Sequence, residues 1–146
     1  MKTVRPAPPA PPASLDLALV GNGSVAALVD RDARIVWCCL PRFDGDPVFN
    51  ALLQPEGSGG EGGSFAIEIE NLASTRQWYE PNTAVLRTLL IDTDGNSLEV
   101  TDFAPRFYSR SRFFRPMTLV RRIRPIQGSP RVRVALKLRY EWGSAA

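Results

Sequence analysis

Short apolar runs bounded by turn-forming residues recur along the chain, and this pattern predicts β-strands. The runs cover residues 15–20, 25–29, 34–40, 83–91, 98–103, 117–126 and 131–140, and residues 65–70 alternate apolar with polar side chains. Turn signals such as Gly21-Asn22-Gly23, Asp94-Gly95-Asn96 and Gly128-Ser129 separate them. About eight or nine strands at this spacing predict an all-β fold, an antiparallel β-sandwich or barrel. The only helix predicted is one short turn within residues 47–53.

The run at residues 34–40 is the most informative stretch, because it ends abruptly in a charged loop. Proline cannot donate to a sheet ladder, so Pro41 marks the point where the chain leaves the sheet. We expect Trp37 and Leu40 to be buried there, and full burial of the Trp37 ring would make Trp37→Ala cost about 3–5 kcal/mol. The adjacent Cys38 and Cys39 should point to opposite faces of the strand and not bond to each other.

The loop that follows Pro41 holds a planar cation, a ring and a carboxylate: Arg42, Phe43 and Asp44. Sugar-binding sites use this mixture, in which the ring stacks on a sugar face and the charged groups bind hydroxyls. An Arg–Asp pair that only braces the loop is the alternative. Asp102 precedes Phe103-Ala104-Pro105-Arg106, and it is predicted to cap a turn or to pair with Arg106 or Arg42.

Composition bounds the remaining possibilities. A chain of 146 residues fits one domain, and we assign residues 14–146 to it. Residues 1–13 carry five prolines and no apolar h-region, so we expect an extended tail and no signal peptide. The chain has no run of 18 or more apolar residues, so no membrane span is predicted. The chain has no histidine, which excludes a Cys/His zinc site and a Ser-His-Asp triad. We expect no cofactor and no metal, and reduced cysteines favour the cytoplasm.

Charge is divided unevenly along the chain. Residues 1–102 hold seven basic and fourteen acidic side chains, whereas residues 106–139 hold ten arginines and Lys137 with no acidic residue. A basic stretch of this kind could bind nucleic acid. The arginines alternate with apolar residues in Arg131-Val132-Arg133-Val134, which is typical of a strand with one solvated face. We therefore favour a solvated face or a domain interface and expect no nucleic-acid partner.

Several ordered motifs resemble one known family. They are Leu19-Val20-Gly21-Asn22-Gly23, Ala26 to Asp32, Trp37 to Asp44, Gln77 to Thr88, Val100 to Pro105 and Leu119 to Ile123. In this order and spacing, from about residue 15 to residue 140, the chain is similar to the opening of the bacterial glucoamylase and trehalase-like proteins of glycoside hydrolase family 15. Two positions depart from the pattern. Ala33 replaces a turn glycine, which suggests a different turn, and Gly45-Asp46-Pro47 replaces the usual Ser-Pro-Ser.

The resemblance implies a supersandwich-like β-sandwich that precedes a catalytic (α/α)6 toroid, for which this chain is too short. The family's enzymes invert configuration, and both of their catalytic glutamates lie in the toroid. We therefore assign no catalytic residue here, Glu68, Glu70, Glu80 and Glu99 included, and expect the chain alone to be inactive. Its expected partners are its own C-terminal catalytic domain and, through the full-length protein, an α-glucoside. Arg42, Phe43, Asp44, Asp102 and Arg106 are the candidate substrate-binding or domain-interface residues.

Two other functions stay open on the sequence. A free-standing carbohydrate-binding module would use exposed aromatics, for which Trp78 and Tyr79 are candidates, although a cross-strand packing pair explains these two residues equally well. It would bind oligosaccharides as an isolated chain. A nucleic-acid-binding β domain would use the Arg-rich C-terminal third, and its binding would weaken steeply with salt.

Overall fold

The computed structural model describes residues 15–53 and 62–139, and strands dominate them. All strand pairs in these residues are antiparallel. The strands are β1 (Ala18–Gly21), β2 (Ala26–Val29), β3 (Arg34–Cys39), β4 (Pro47–Phe49), β5 (Ser64–Ile69), β6 (Leu72–Tyr79), β7 (Leu86–Asp92), β8 (Ser97–Phe103), β9 (Phe107–Ser109), β10 (Arg112–Phe114), β11 (Val120–Gln127) and β12 (Val132–Lys137). One 3-10 turn, Ala51–Leu53, follows β4.

Two sheets and one separate hairpin account for these strands. The first sheet has six strands in the order β1-β2-β3-β5-β12, with β4 pairing to β3. The second has four strands in the order β11-β8-β7-β6. Strands β9 and β10 pair only with each other among the described residues, and we call residues 107–114 the aromatic hairpin. The linker at Gly128, where φ is 68°, takes the chain from β11 in the second sheet to β12 in the first.

The core lies between the two sheets. One cluster packs Leu86 of the second sheet against side chains of the first: Val20, Ala27, Val29, Ile35, Cys38 and Phe49. The other joins Ala33, Ile67 and Ile69 on the side of the first sheet to Leu90, Leu98 and Val100 on the second. Burying each Leu, Ile or Phe side chain contributes about 1.5–3 kcal/mol, which stabilises the stacking of the sheets. The predicted all-β, antiparallel sandwich is confirmed.

The prediction that Trp37 and Leu40 are buried is wrong, because both are half-buried. The register between β2 and β3 shifts at this point, where Leu28 pairs with Trp37 but Val29 pairs with Ile35. This irregularity lets Ile35 and Cys38 both enter the core and turns Trp37 to the outer face of the sheet. The condition for the full cost of Trp37→Ala is therefore not met.

The helical turn predicted for residues 47–53 is only partly correct. Pro47–Phe49 forms β4 because Phe49 is buried and pairs with Cys38 of β3, and only Ala51–Leu53 turns as a 3-10 helix. The different turn expected from the alanine at position 33 stays a prediction. Ala33 has a φ of 60° and is fully buried, so the alanine keeps the left-handed backbone that favours glycine.

Some predictions fall outside the described residues. They concern the tail at residues 1–13, the end of the strand predicted for residues 131–140, and most of the glycine-rich stretch 57–63. Its last two members, Gly62 and Gly63, are described and buried. Gly63 joins the end of β4 to the start of β5, because its N–H donates to Asn50 Oδ1 at 2.8 Å and its carbonyl accepts from the N–H of Asn50 and Ala51.

Candidate functional site

The loop after β3 presents its side chains to solvent. Arg42 Nε donates to Asp44 Oδ1 at 2.9 Å and Nη2 donates to Oδ2 at 3.1 Å, which makes a bidentate ion pair. The two side chains are 77% and 71% exposed, and Phe43 between them is 54% exposed. The Gly45 N–H donates to the Arg42 carbonyl and closes the turn. The structure therefore brings Arg42 and Asp44 together, and the Phe43 ring lies open beside them.

Asp102 does not join that loop, and neither of the partners named for it from the sequence is the one it has. It lies on the inward face of β8 and pairs with Arg121 of β11, Nε to Oδ1 at 2.7 Å and Nη2 to Oδ2 at 3.0 Å. The side chains are 3% and 4% exposed. Pairing with Arg106 or Arg42 is thus replaced by a buried ion pair between neighbouring strands of the second sheet.

Arg121 also binds the first sheet. Its Nη1 donates to the Phe65 carbonyl at 2.6 Å and its Nη2 to the Ala33 carbonyl at 2.5 Å. The guanidinium carbon lies 4.8 Å from the centroid of the Phe65 ring, within cation–π range. One guanidinium therefore links both sheets through four hydrogen bonds. Burial raises the pKa of Asp102 above its ordinary value, and the hydrogen bonds and charge of Arg121 oppose that rise.

Arg106 belongs to a third location, at the base of the aromatic hairpin. Its guanidinium carbon lies 5.3 Å from the centroid of the Phe113 ring. The hairpin carries two aromatic pairs: Phe107 stacks with Phe114 at 5.4 Å, and Tyr108 meets Phe113 edge-on at 5.0 Å. All four rings are exposed, by 42–64%. The five candidate residues thus occupy three separate places rather than one cleft.

The hairpin is held at its base by Asn22, from the turn between β1 and β2. Asn22 is buried, and its Nδ2 donates to the carbonyls of Pro105 at 2.9 Å and Pro116 at 2.8 Å. Its Oδ1 accepts from the N–H groups of Ser24 and Val25. The Gly-Asn-Gly motif therefore forms the hairpin turn predicted from the sequence, and it also clamps both ends of residues 105–116.

Each of the four glutamates considered as candidates from the sequence forms an ion pair with at least one arginine. Glu80 pairs with Arg87, and Glu99 accepts from Arg87 at 3.1 Å and from Arg124 at 3.0 Å. On the exposed face of the first sheet, Glu68 pairs with Arg133 at 2.6 Å and Glu70 with Arg131 at 3.4 Å. The arginines that alternate along β12 are thus partly neutralised on a solvated face.

Trp78 and Tyr79 are consecutive on β6, so they point to opposite faces and do not form one platform. The Tyr79 hydroxyl accepts from the Leu19 N–H and donates to the Leu19 carbonyl, both at 2.8 Å, and so joins the edge of β1.

Cys38 and Cys39 are both buried and free, as predicted. Burial raises the pKa of Cys38 to about 11 and raises that of Cys39, so both thiols stay protonated at neutral pH. No cluster of three or more metal-ligating side chains occurs among residues 15–53 and 62–139. No helix in the same residues is long and apolar enough to cross a membrane. The cytoplasmic location stays a prediction.

Sequence reasoning missed three elements: Arg121, the clamping role of Asn22, and the aromatic hairpin. A signal for Arg121 existed. Adjacent arginines on a strand point to opposite faces, so one of Arg121 and Arg122 had to face the interior of the sandwich. A signal for the hairpin existed in its four aromatic residues within eight positions, but the strands are only three residues long.

A family model described as "Trehalase-like, N-terminal" matches residues 10–146. The chain belongs to this family. It is 34% identical over 88 residues to a trehalase of Thermoplasma volcanium, a match that covers 59% of this chain and 14% of that protein. It is 37% identical over 91 residues to trehalase 1 of Sulfolobus acidocaldarius (61% and 15%) and 32% identical over 91 residues to trehalase 2 of that organism (62% and 14%). The chain thus matches about one seventh of the length of these relatives. No solved structure matches it.

Proposed function

We propose that this chain is the non-catalytic N-terminal domain of a family 15 glycoside hydrolase whose (α/α)6 domain hydrolyses an α-glucosidic bond. The observation that carries the proposal is the family match over residues 10–146, together with relatives that bear the name trehalase and extend far beyond the matched part. The domain's role is to support the catalytic domain and to shape the entrance to its active site.

The electrostatics of the described carboxylates support a non-catalytic role. Glycoside hydrolysis uses two carboxyl groups about 5–10 Å apart that flank an accessible bond, and one of them must be protonated. Here Glu80 pairs with Arg87, and Glu99 pairs with Arg87 and Arg124, so salt bridges already occupy both carboxylates. Asp102 is enclosed between the sheets and bound by Arg121, so a sugar could not reach it.

The test of this proposal compares two proteins: this chain alone, and this chain joined to its (α/α)6 domain. The joined protein is expected to release glucose from trehalose or another α-glucoside, whereas the chain alone is expected to release none above a protein-free blank. Glucose release by the chain alone, abolished by Glu80→Gln or another single carboxylate substitution, would overturn the proposal.

We further propose that the Arg42-Phe43-Asp44 loop faces the catalytic domain. It leaves the sheet directly after a core strand, so a rigid element positions it. In the joined protein, Asp44→Asn should lower kcat/KM while the melting temperature barely moves, since an exposed pair stabilises by only about 0.2–1 kcal/mol. A pure bracing role predicts a lower melting temperature with unchanged activity per folded molecule.

A matched control exists at the opposite end of β3. Arg31 binds Asp16 in the same bidentate way, at 2.7 and 3.0 Å, and both side chains are more than half exposed. Asp16→Asn should therefore repeat any small stability change of Asp44→Asn without its effect on activity. Equal kinetics for the wild type, Asp16→Asn and Asp44→Asn at every substrate length would refute a role of the loop at the site.

A further inference from the structure

The aromatic hairpin leaves much of the apolar surface of its side chains exposed to solvent. Its four rings remain 42–64% exposed, and its aromatic pairs lie on opposite faces of a two-stranded ribbon. Since an aromatic side chain has about 150–250 Å² to bury, the rings leave a few hundred Å² of apolar surface in water. The two faces of the ribbon share this area, so each face presents one exposed aromatic pair, and clustered exposed rings call for a partner in a way that apolar residues scattered singly do not.

The hairpin is also built to be held in place. An isolated two-stranded hairpin is only marginally stable in water. Here Asn22 donates to the carbonyls of Pro105 and Pro116 and so fixes both ends of the excursion from a buried position. At the tip, Arg110 and Ser111 have φ values of 48° and 60°, the two consecutive positive values that a type I′ hairpin turn requires. The rings are therefore presented on an anchored element.

Positive charge is concentrated at the hairpin, as four arginines within ten positions. Within residues 15–53 and 62–139 no ion pair involves the four arginines in or next to the hairpin, Arg106, Arg110, Arg112 and Arg115. The segment 104–116 contains no acidic residue. Aromatic residues and arginine are the types enriched in the energetically dominant parts of protein interfaces. A complementary surface would offer an apolar floor and carboxylates at its rim.

The described residues of a second copy of this chain do not supply such a surface. Seven of the twelve described acidic side chains already form ion pairs within the chain. Two more, Asp30 and Asp92, accept hydrogen bonds from the backbone of their own turns. The remaining acids, Asp32, Asp46 and Asp94, lie in three different turns rather than in one patch.

Nucleic acid is a weaker fit than protein. Affinity for a phosphate backbone grows with the number of cations that can reach it. Three of the arginines that follow the hairpin in the sequence are engaged by carboxylates: Arg124 by Glu99, Arg131 by Glu70 and Arg133 by Glu68.

We propose that the aromatic hairpin is the docking element of this domain, and that it inserts its rings and arginines into an apolar groove rimmed by carboxylates on the catalytic domain. The inference rests on the proposed function for the identity of the partner. It assigns the principal contact to residues 106–115. Of the candidate residues named from the sequence, only Arg106 lies in this segment.

The experiment measures hydrogen exchange of the backbone amides of residues 107–114 in the joined protein and in the 146-residue chain. Docking should slow their exchange roughly tenfold or more in the joined protein, because an interface suppresses local opening. The double variant Arg112→Glu with Phe113→Ala should abolish that protection and lower kcat/KM. Its control is Leu72→Ala with Arg76→Glu on β6, an exposed apolar residue and an exposed arginine without an ion pair among the described residues.

The control should retain both hairpin protection and activity. Because the substituted hairpin side chains are exposed, far-UV circular dichroism and the melting temperature of the 146-residue chain should match the wild type for both double variants. Loss of hairpin protection in the control as well would overturn the assignment of the contact to the hairpin.

The remaining outcomes separate this inference from the proposed function. Equal hairpin exchange in the two proteins, with active joined enzyme, would overturn the docking proposal and leave the function standing. Hairpin protection in a joined protein that hydrolyses no α-glucoside would support docking and refute the function. Salt-sensitive binding of the 146-residue chain to a 20-base-pair duplex, or a dimer by size exclusion, abolished in either case by Arg112→Glu, would overturn the inference in favour of nucleic acid or a second copy.

Discussion

Replacing Arg121 by methionine should be among the most destabilising single substitutions in this domain. Arg121 makes two bonds to the buried Asp102 and one each to the carbonyls of Phe65 and Ala33. Methionine fills a similar volume but leaves a carboxylate uncompensated between the sheets. Breaking a buried pair in this way costs about 3–5 kcal/mol, and the two carbonyls lose charged donors in addition. The free energy of unfolding of a small domain is about 5–15 kcal/mol, so this substitution would remove much of the stability.

Whether a second substitution raises or lowers the stability of the Arg121→Met variant tests this reasoning. If the cost comes from the stranded charge, Asp102→Leu added to Arg121→Met should recover stability, because replacing both members of a buried pair with apolar residues is often nearly neutral. The recovery should be incomplete, since the carbonyls of Phe65 and Ala33 still lack their donor. We expect the double variant to be more stable than Arg121→Met by about 2–3 kcal/mol.

Urea unfolding followed by tryptophan fluorescence measures these differences at an unchanged m-value. The loss is compared with that expected for an exposed ion pair, which contributes only about 0.2–1 kcal/mol to the free energy of unfolding. A loss below about 1 kcal/mol for Arg121→Met, or a double variant less stable than that single variant, would show that the pair is not the link between the sheets that the geometry indicates.

Three further predictions concern other polar contacts. Asn22→Asp should destabilise by about 1–3 kcal/mol and speed hydrogen exchange in the hairpin, because a carboxylate cannot donate to the two proline carbonyls; unchanged exchange would contradict the clamp. Hydrogen bonds from Asn96 lower the pKa of Asp92. This carboxylate therefore stabilises the fold above its ordinary pKa of about 3.9, and the stabilisation is lost as pH falls through the lower pKa of the folded state. In the Asp92→Asn variant, the melting temperature should depend less on pH in this acidic range. Arg42→Ala should change the unfolding free energy by less than about 1 kcal/mol, and a larger loss by urea unfolding would favour bracing.

The strands that carry the core could be predicted from the sequence because their apolar residues repeat with the period of the pleat. Strand β7 alternates buried and half-buried positions from Leu86 to Asp92 without a break. Strand β6 escapes this criterion. Its residues, Leu72 to Tyr79, lie at the edge of the second sheet and are mostly exposed on both faces, so no apolar alternation marks it.

The candidate site could be predicted only where its residues are close in sequence. Arg42 and Asp44 are two positions apart, and the turn between them brings their charges together. The partner of Asp102 is 19 residues away and is chosen by the register of β8 against β11. Asn22 reaches carbonyls more than 80 residues away, a contact that depends on how the two sheets stack and that no local pattern encodes.

Five of the described arginines illustrate three physical roles that their common charge conceals. Arg121 is buried, and only a planar fork of donors could bind a carboxylate bidentately while reaching two carbonyls of the opposite sheet. Arg131 and Arg133 cover an exposed face, where glutamates neutralise them at little gain in stability. Arg110 and Arg112 stand on the anchored hairpin beside open rings. Fold and solvation account for the first two roles, and the docking surface that we propose would account for the third.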